Sequence, residues 1–150
     1  YYSLKIKMDG NFAGDKSKLA IASFKKGKVD DYEGGTWKDG YVQTRTRQFG
    51  EFAIMADTIA PKIRPVNFKD GSDISGLGFL KIKITDEFSG IKSYRALVDG
   101  KWVLFEYDAK NDLLTADISK LEVTAGVYQL EIQVIDDKGN VKSASYQLKF

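Results

Sequence analysis

The sequence predicts an all-β protein built from layered sheets. Three observations carry this: a period of two in its longest segments, recurrent Asp-Gly reversals, and no 3.6-residue apolar stripe over any dozen residues. Leu80, Ile82 and Ile84 alternate with Phe79, Lys81, Lys83 and Thr85. Tyr128, Leu130, Ile132 and Val134 alternate with Gln129, Glu131 and Gln133, and Ala144, Tyr146, Leu148 and Phe150 with Ser143, Ser145, Gln147 and Lys149. This is the signature of antiparallel strands with one face in a core and the other in water.

The first 57 residues read as about five strands, near 3–8, 18–24, 28–33, 41–47 and 51–56. Asp9-Gly10 and Asp39-Gly40 accept positive φ and mark reversals among them. Such a segment suits a small β domain or a truncated sandwich. Both prolines, Pro61 and Pro65, follow at once. Proline cannot donate to a ladder, so it belongs at a strand start, an edge or a linker. A boundary at 57–61 therefore divides the chain into a 1–57 β domain and a 58–150 β-sandwich. In the second part strands are expected near 62–68, 79–85, 91–98, 101–107, 112–118, 127–135 and 141–149, enough for two packed sheets. Asp70-Gly71 marks a turn, and Asp99-Gly100 marks a hairpin between 91–98 and 101–107. Gly90, Gly126 and Gly139 punctuate the remaining reversals, and 118–123 is compatible with a single helical turn.

At 43% hydrophobic and 13% aromatic the chain can fill a core. Its 23 basic and 21 acidic residues are mixed along the sequence, which gives no field pointing to nucleic acid or an anionic membrane. No apolar run approaches the roughly 20 residues of a membrane helix. The chain opens at Tyr1 without a signal peptide, as a mature or excised segment would. It contains no Cys and no His, so thiolate nucleophiles, disulfides, zinc–thiolate sites and the commonest general base are excluded. Carboxylate pairs for glycoside hydrolysis depend on a separation that sequence does not give. No catalytic residue is assigned, and no cofactor is expected.

Four motifs then carry a resemblance. The boundary reads Asp57-Thr58-Ile59-Ala60-Pro61-Lys62-Ile63, and the last turn Asp136-Asp137-Lys138-Gly139-Asn140. Between them stand Asp86-Glu87-Phe88-Ser89-Gly90-Ile91 and Gly126-Val127-Tyr128. In this order they resemble bacterial immunoglobulin-like domains, which occur in tandem on secreted and surface proteins. The resemblance implies that Tyr128 locks a corner of the sandwich. A second set, Gly50-Glu51-Phe52-Ala53-Ile54 with Leu97-Val98-Asp99-Gly100-Lys101-Trp102-Val103-Leu104, is similar to the C-terminal non-catalytic part of large secreted zinc metallopeptidases of the lysostaphin kind. The zinc signature of those enzymes needs His, so their activity is not carried over to this chain.

Three groups of residues are candidates for function. Counting reversals places the 57–61, 86–90, 108–112 and 136–140 segments at one end of the sandwich. Asp57, Asp86, Glu87, Asp108, Asp112, Asp136, Asp137 and Asn140 would then supply oxygen ligands for calcium. The competing reading, that Asp and Asn serve their own turns, is preferred. Among aromatic residues, Trp37, Trp102, Tyr94, Phe105 and Tyr107 would line a sugar-binding face, against a preferred role in packing a core or an interface. With unbroken alternation Trp102 and Leu104 share one face of 101–107, and Val103, Phe105 and Tyr107 the other. Lys25, Lys26, Lys28, Arg45, Arg47 and Arg64 read as solvated basic residues.

The function expected is a non-catalytic accessory module of a secreted, periplasmic or cell-surface bacterial protein. It would position a neighbouring domain of the same polypeptide, a peptidase if the second resemblance holds, or meet an envelope protein. The alternative is a module that binds carbohydrate or peptidoglycan.

Overall fold

The computed structural model describes residues 1–10 and 12–150. The chain is all-β and divides into two compact units, residues 1–59 and 60–150. No helix among the described residues is long and apolar enough to cross a membrane.

Among the described residues, unit 1 contains six strands: β1 (Tyr2–Lys7), β2 (Leu19–Lys25), β3 (Lys28–Gly34), β4 (Thr36–Lys38), β5 (Tyr41–Thr46) and β6 (Glu51–Ala56). They form two three-stranded sheets, ordered β1-β5-β4 and β3-β2-β6. Leu19 and Ile21 of one sheet and Val42 of the other form the buried centre, flanked by Leu4, Ile6, Met8, Phe12, Trp37, Phe52 and Ile54. The chain passes from one sheet to the other at Gly34-Gly35, with φ of 75° and 128°. At Gly35 a Cβ would stand 3.0 Å from Val42 Cγ1 and 3.4 Å from the Gln43 carbonyl, so the close approach of backbone to core requires glycine. Strand β4, beyond that bend, is absent from the sequence expectation because three residues carry too little periodicity.

Unit 2 contains β7 (Lys62–Pro65), β8 (Ser72–Asp73), β9 (Phe79–Thr85), β10 (Ile91–Val98), β11 (Lys101–Trp102), β12 (Glu106–Asp108), β13 (Leu113–Asp117), β14 (Val127–Asp136) and β15 (Val141–Lys149). One sheet runs β12-β13-β9-β7 and the other β11-β10-β14-β15-β8. Leaving aside the two-residue strands β8 and β11, the first, second, fourth and fifth strands (β7, β9, β12 and β13) form one sheet and the third, sixth and seventh (β10, β14 and β15) the other, which is an immunoglobulin-like arrangement. The core follows the alternation: Leu80, Ile82, Ile84, Leu114 and Ala116 from the first sheet meet Ala96, Val98, Leu130, Ile132, Val134 and Leu148 from the second. Each buried Leu, Ile or Val among them contributes about 1.5–3 kcal/mol by leaving water. Tyr128 does hold a corner: its hydroxyl accepts the Thr124 N–H at 3.0 Å, four residues upstream.

The expected strand over 101–107 does not exist as one element. Lys101 and Trp102 pair with β10, whereas Glu106 to Asp108 pair with β13 in the opposite sheet. The two ends of the segment pair in different sheets, so the chain crosses at 103–105. The Val103 N–H donates to the Ala96 carbonyl at 3.1 Å, and the Tyr94 hydroxyl donates to the Phe105 carbonyl at 2.7 Å. Phe105 fills the core at this crossing with 1% of its surface exposed. The expected strands 62–68 and 112–118 are shorter, and β8, which runs parallel to β15, is an addition. The helical turn at 118–123 is a single 3₁₀ turn, Ile118–Lys120, capped by Asp117.

Candidate binding site

The packing role preferred for Trp102 is corrected in part by its exposure: 63% of its surface is open. The Asp99-Gly100 turn, with φ of 47° and 78°, sets the register Val98↔Lys101 and Leu97↔Trp102. Val98 faces the core, so Leu97 and Trp102 stand on the outer face of the five-stranded sheet. Two open surfaces adjoin this edge. The larger is a groove of about 680 Å³ bordered by residues 103–104 and 120–123 of the segments that cross between the sheets. Its apolar lining comes from Trp102, Leu104, Phe79, Leu121, Val123 and Tyr128. Leu104 and Phe79 are 53% and 49% exposed, an unusual grouping of large apolar surface at one place.

Charged residues from separate elements rim the groove: Asp99, Lys101, Glu106, Asp117, Lys120 and Glu122. Asp117 is committed to structure. Its Oδ1 accepts from the Ser119 N–H at 3.0 Å and hydroxyl at 2.7 Å, and Lys120 Nζ lies 3.9 Å from Oδ2. The Ser119 hydroxyl chiefly holds the Asp117 carboxyl below its ordinary value, against the opposing effect of burial. Asp99 Oδ1 accepts the Gln129 N–H at 2.7 Å. Hydrogen bonds from Thr124 lower the Tyr128 hydroxyl. Among the described residues, Lys101, Glu106 and Glu122 carry no ion pair. The arrangement offers aromatic and aliphatic surface bordered by hydrogen-bonding charges, which suits non-covalent capture.

The second surface is a cleft of about 450 Å³ on the outer sheet face, lined by Arg95, Leu97, Glu131, Gln133, Ser143 and Ser145. Cross-strand register puts Leu97, Glu131 and Ser145 in one row and Arg95, Gln133 and Ser143 in the next.

The acidic turns form as the alternation demands. Within unit 2, the Ile84 N–H bonds the Asp112 carbonyl at 2.9 Å and the Asp137 N–H bonds the Gly90 carbonyl at 3.2 Å, so the 86–90, 108–112 and 136–140 turns share one end. Asp86 Oδ2 accepts the N–H groups of Phe88 and Gly90 at 3.0 and 2.9 Å. Buried Asp136 accepts the Asn140 N–H at 2.8 Å and its side-chain amide at 2.7 Å. Carboxylate oxygens of Asp86 and Asp136 approach within 4.8 Å. Asp108 caps its own turn through Asn111, whose side-chain amide chiefly depresses its carboxyl. Glu87 pairs with Lys62, which lowers it in the same way. In unit 1, Asp57 is buried and its Oδ1 accepts the Ile59 N–H at 3.2 Å.

The other aromatic candidates lie apart from the groove. Trp37 is half-buried in unit 1, with Lys16 Nζ 4.9 Å from its ring centroid. Tyr107 packs against the core of unit 2 and meets Tyr94 edge-on at 5.9 Å; burial, then Asp112 and Asp108, raises its hydroxyl. Arg45 and Arg47 lie over the Tyr1 ring at 5.8 and 3.9 Å. Lys25, Lys26, Lys28 and Arg64 are exposed. Sequence reasoning missed Phe79, Leu104, Glu106 and Glu122. For Phe79 a signal existed, since alternation with Leu80 and Ile82 turns a large aromatic toward solvent.

A family model described as a Zu5-like domain matches residues 1–57. No curated protein matches the chain in sequence. Among solved structures, the endo-beta-1,4-mannanase from Thermotoga petrophila aligns with 62% of the chain at 13% identity and a TM-score of 0.51. The chain spans about a fifth of that enzyme's length, 20% of it. CopC from Methylosinus trichosporium OB3b aligns at 16% identity and TM-score 0.43, covering 59% of this chain and 92% of its own. The fibronectin(III)-like modules of Clostridium thermocellum CbhA align at 14% identity and TM-score 0.41, covering 98% and 84%. The mannanase match supports the sandwich fold.

Proposed function

We propose that the chain is a non-catalytic accessory module of a secreted or cell-surface bacterial protein, and that unit 2 binds a carbohydrate through the groove beside Trp102. The observation that carries this is the exposure of Trp102, grouped with Leu104 and Phe79 on one groove. Large apolar side chains cost free energy in water, and an indole plane recovers it by stacking on the C–H face of a pyranose. Such binding holds a neighbouring domain, a peptidase if the lysostaphin-type resemblance is true, close to a glycan-bearing surface.

The test is affinity electrophoresis through gels containing neutral, amino and acidic soluble polysaccharides, together with co-sedimentation on purified peptidoglycan. Retardation by at least one glycan is expected, and Trp102→Ala should lose it while keeping the wild-type circular dichroism spectrum and melting midpoint. Migration unaffected by every glycan, or a Trp102→Ala protein retarded like wild type, would refute the reading.

A further inference from the structure

The apolar lining of the groove explains stacking on sugar faces in general, but its charged rim is not neutral. Glu106 comes from edge strand β12, Glu122 from the segment leading to β14, and Asp99 from the β10–β11 turn. They belong to different elements, yet all border the same cavity. The two lysines do not balance them: Lys120 sits beside Asp117, which leaves Lys101 as the one uncommitted ammonium against these three carboxylates among the described lining residues. Asp99 accepts the Gln129 backbone N–H through one of its two carboxylate oxygens. A cleft with low-dielectric walls and a surplus of one sign concentrates counter-ions of the other sign.

Resting on the carbohydrate reading above, we infer that the groove selects cationic glycans, chains of 2-amino-2-deoxy sugars with free ammonium groups, over their N-acetylated and acidic counterparts. The amino sugar satisfies both halves of the site. Its pyranose C–H face lies on Trp102, Leu104 or Phe79, and its ammonium donates to Glu106, Glu122 or Asp99. An N-acetyl group keeps the ring but removes the charge, and a uronic acid reverses it. Opposite-charge contacts at exposed positions are each modest, so two or three together produce a preference of about three- to tenfold at low salt. The rim is exposed and the Debye length falls to about 8 Å at physiological ionic strength, so the preference weakens as salt rises.

The experiment is isothermal titration of the whole chain with glucosamine hexamer and N-acetylglucosamine hexamer, at low and moderate salt. It is repeated with Glu106→Gln/Glu122→Gln and with a lysine-rich peptide of equal charge. The expected result is tighter binding of the free-amine hexamer by about three- to tenfold, lost in the double variant, reduced by salt, and lost as pH rises through the ligand's own amine titration. The double variant should retain the weaker binding of the N-acetylated hexamer, since the apolar lining is intact. Equal or tighter binding of the N-acetylated hexamer overturns the charge selection while leaving the carbohydrate reading standing. Binding of the peptide alone overturns both, as does an absence of binding by either sugar and by every glycan in the electrophoresis panel.

Discussion

Phe105→Ala is the substitution that tests most directly how residues 101–107 are divided between the sheets. Phe105 is the only aromatic side chain with 1% exposure in the core of unit 2, and it sits where the chain crosses from one sheet to the other. Removing a buried Phe loses its transfer free energy and leaves a cavity that a crossing anchored by the Val103 and Phe105 backbone bonds cannot readily close. The expected cost is about 3–5 kcal/mol. For a unit of this size that lowers the melting midpoint by more than about 12 °C. Trp102→Ala removes a larger side chain that is 63% exposed, so its cost should stay below about 1 kcal/mol. Calorimetry and urea titration followed by circular dichroism measure both variants side by side, with an unchanged urea slope confirming that the same transition is read. A Trp102→Ala protein destabilised as much as Phe105→Ala would mean that Trp102 is packed. The chain would then not cross at 103–105, and the groove would not form beside Trp102.

Two further outcomes follow from the geometry. Gly35→Ala should destabilise unit 1 by about 1–3 kcal/mol, because φ is 128° and the new methyl meets Val42 Cγ1 at 3.0 Å; Trp37 fluorescence in a Trp102→Phe background reports that unit alone, and a midpoint unchanged or raised would contradict the strain. Asp15, Asp73, Asp108, Asp117 and Glu87 all have carboxyls held below their ordinary values of 3.8 and 4.5, each chiefly by a hydrogen bond to a neighbouring side chain or N–H. A folded-state value below the unfolded one contributes stability above the unfolded value that is lost as pH falls through the folded value. The melting midpoint should therefore be flat near neutrality and decline below about pH 4.5, and a midpoint constant down to pH 2.5 would count against these bonds.

The parts of the fold that were readable in sequence are those where one side chain in two must be buried. Leu80, Ile82 and Ile84, or Leu130, Ile132 and Val134, declare both a strand and its inward face, and all six lie in the core. Strands of two or three residues make no such statement, which is why β4 and β8 were not legible. Residues 101–107 fail for a different reason. Period-two alternation assumes one sheet with a constant pair of faces, and a segment that leaves one sheet for another reverses its inside and outside partway. The positive φ values at Gly34 and Gly35 belong to the same class of event in unit 1. Two adjacent glycines were visible there, but no glycine marks the crossing at 103–105.

The exposure of Trp102 was half legible. The two-residue Asp99-Gly100 turn, with Val98 inward, already dictates that Leu97 and Trp102 face outward. What alternation cannot say is whether an outward face is covered, because that depends on the path of segments far away in sequence. Here the covering segments would be 103–105 and 118–123, and instead of lying over Trp102 they border a groove with it. The same two crossings bring Leu104, Glu106 and Glu122 to its edge. The groove is thus a by-product of how the chain changes sheets, assembled from residues whose local patterns say only strand and turn. A ligand that reads this surface must therefore depend on the crossing itself: a variant that straightened 103–105 into a continuous strand would keep every groove residue and still lose the site.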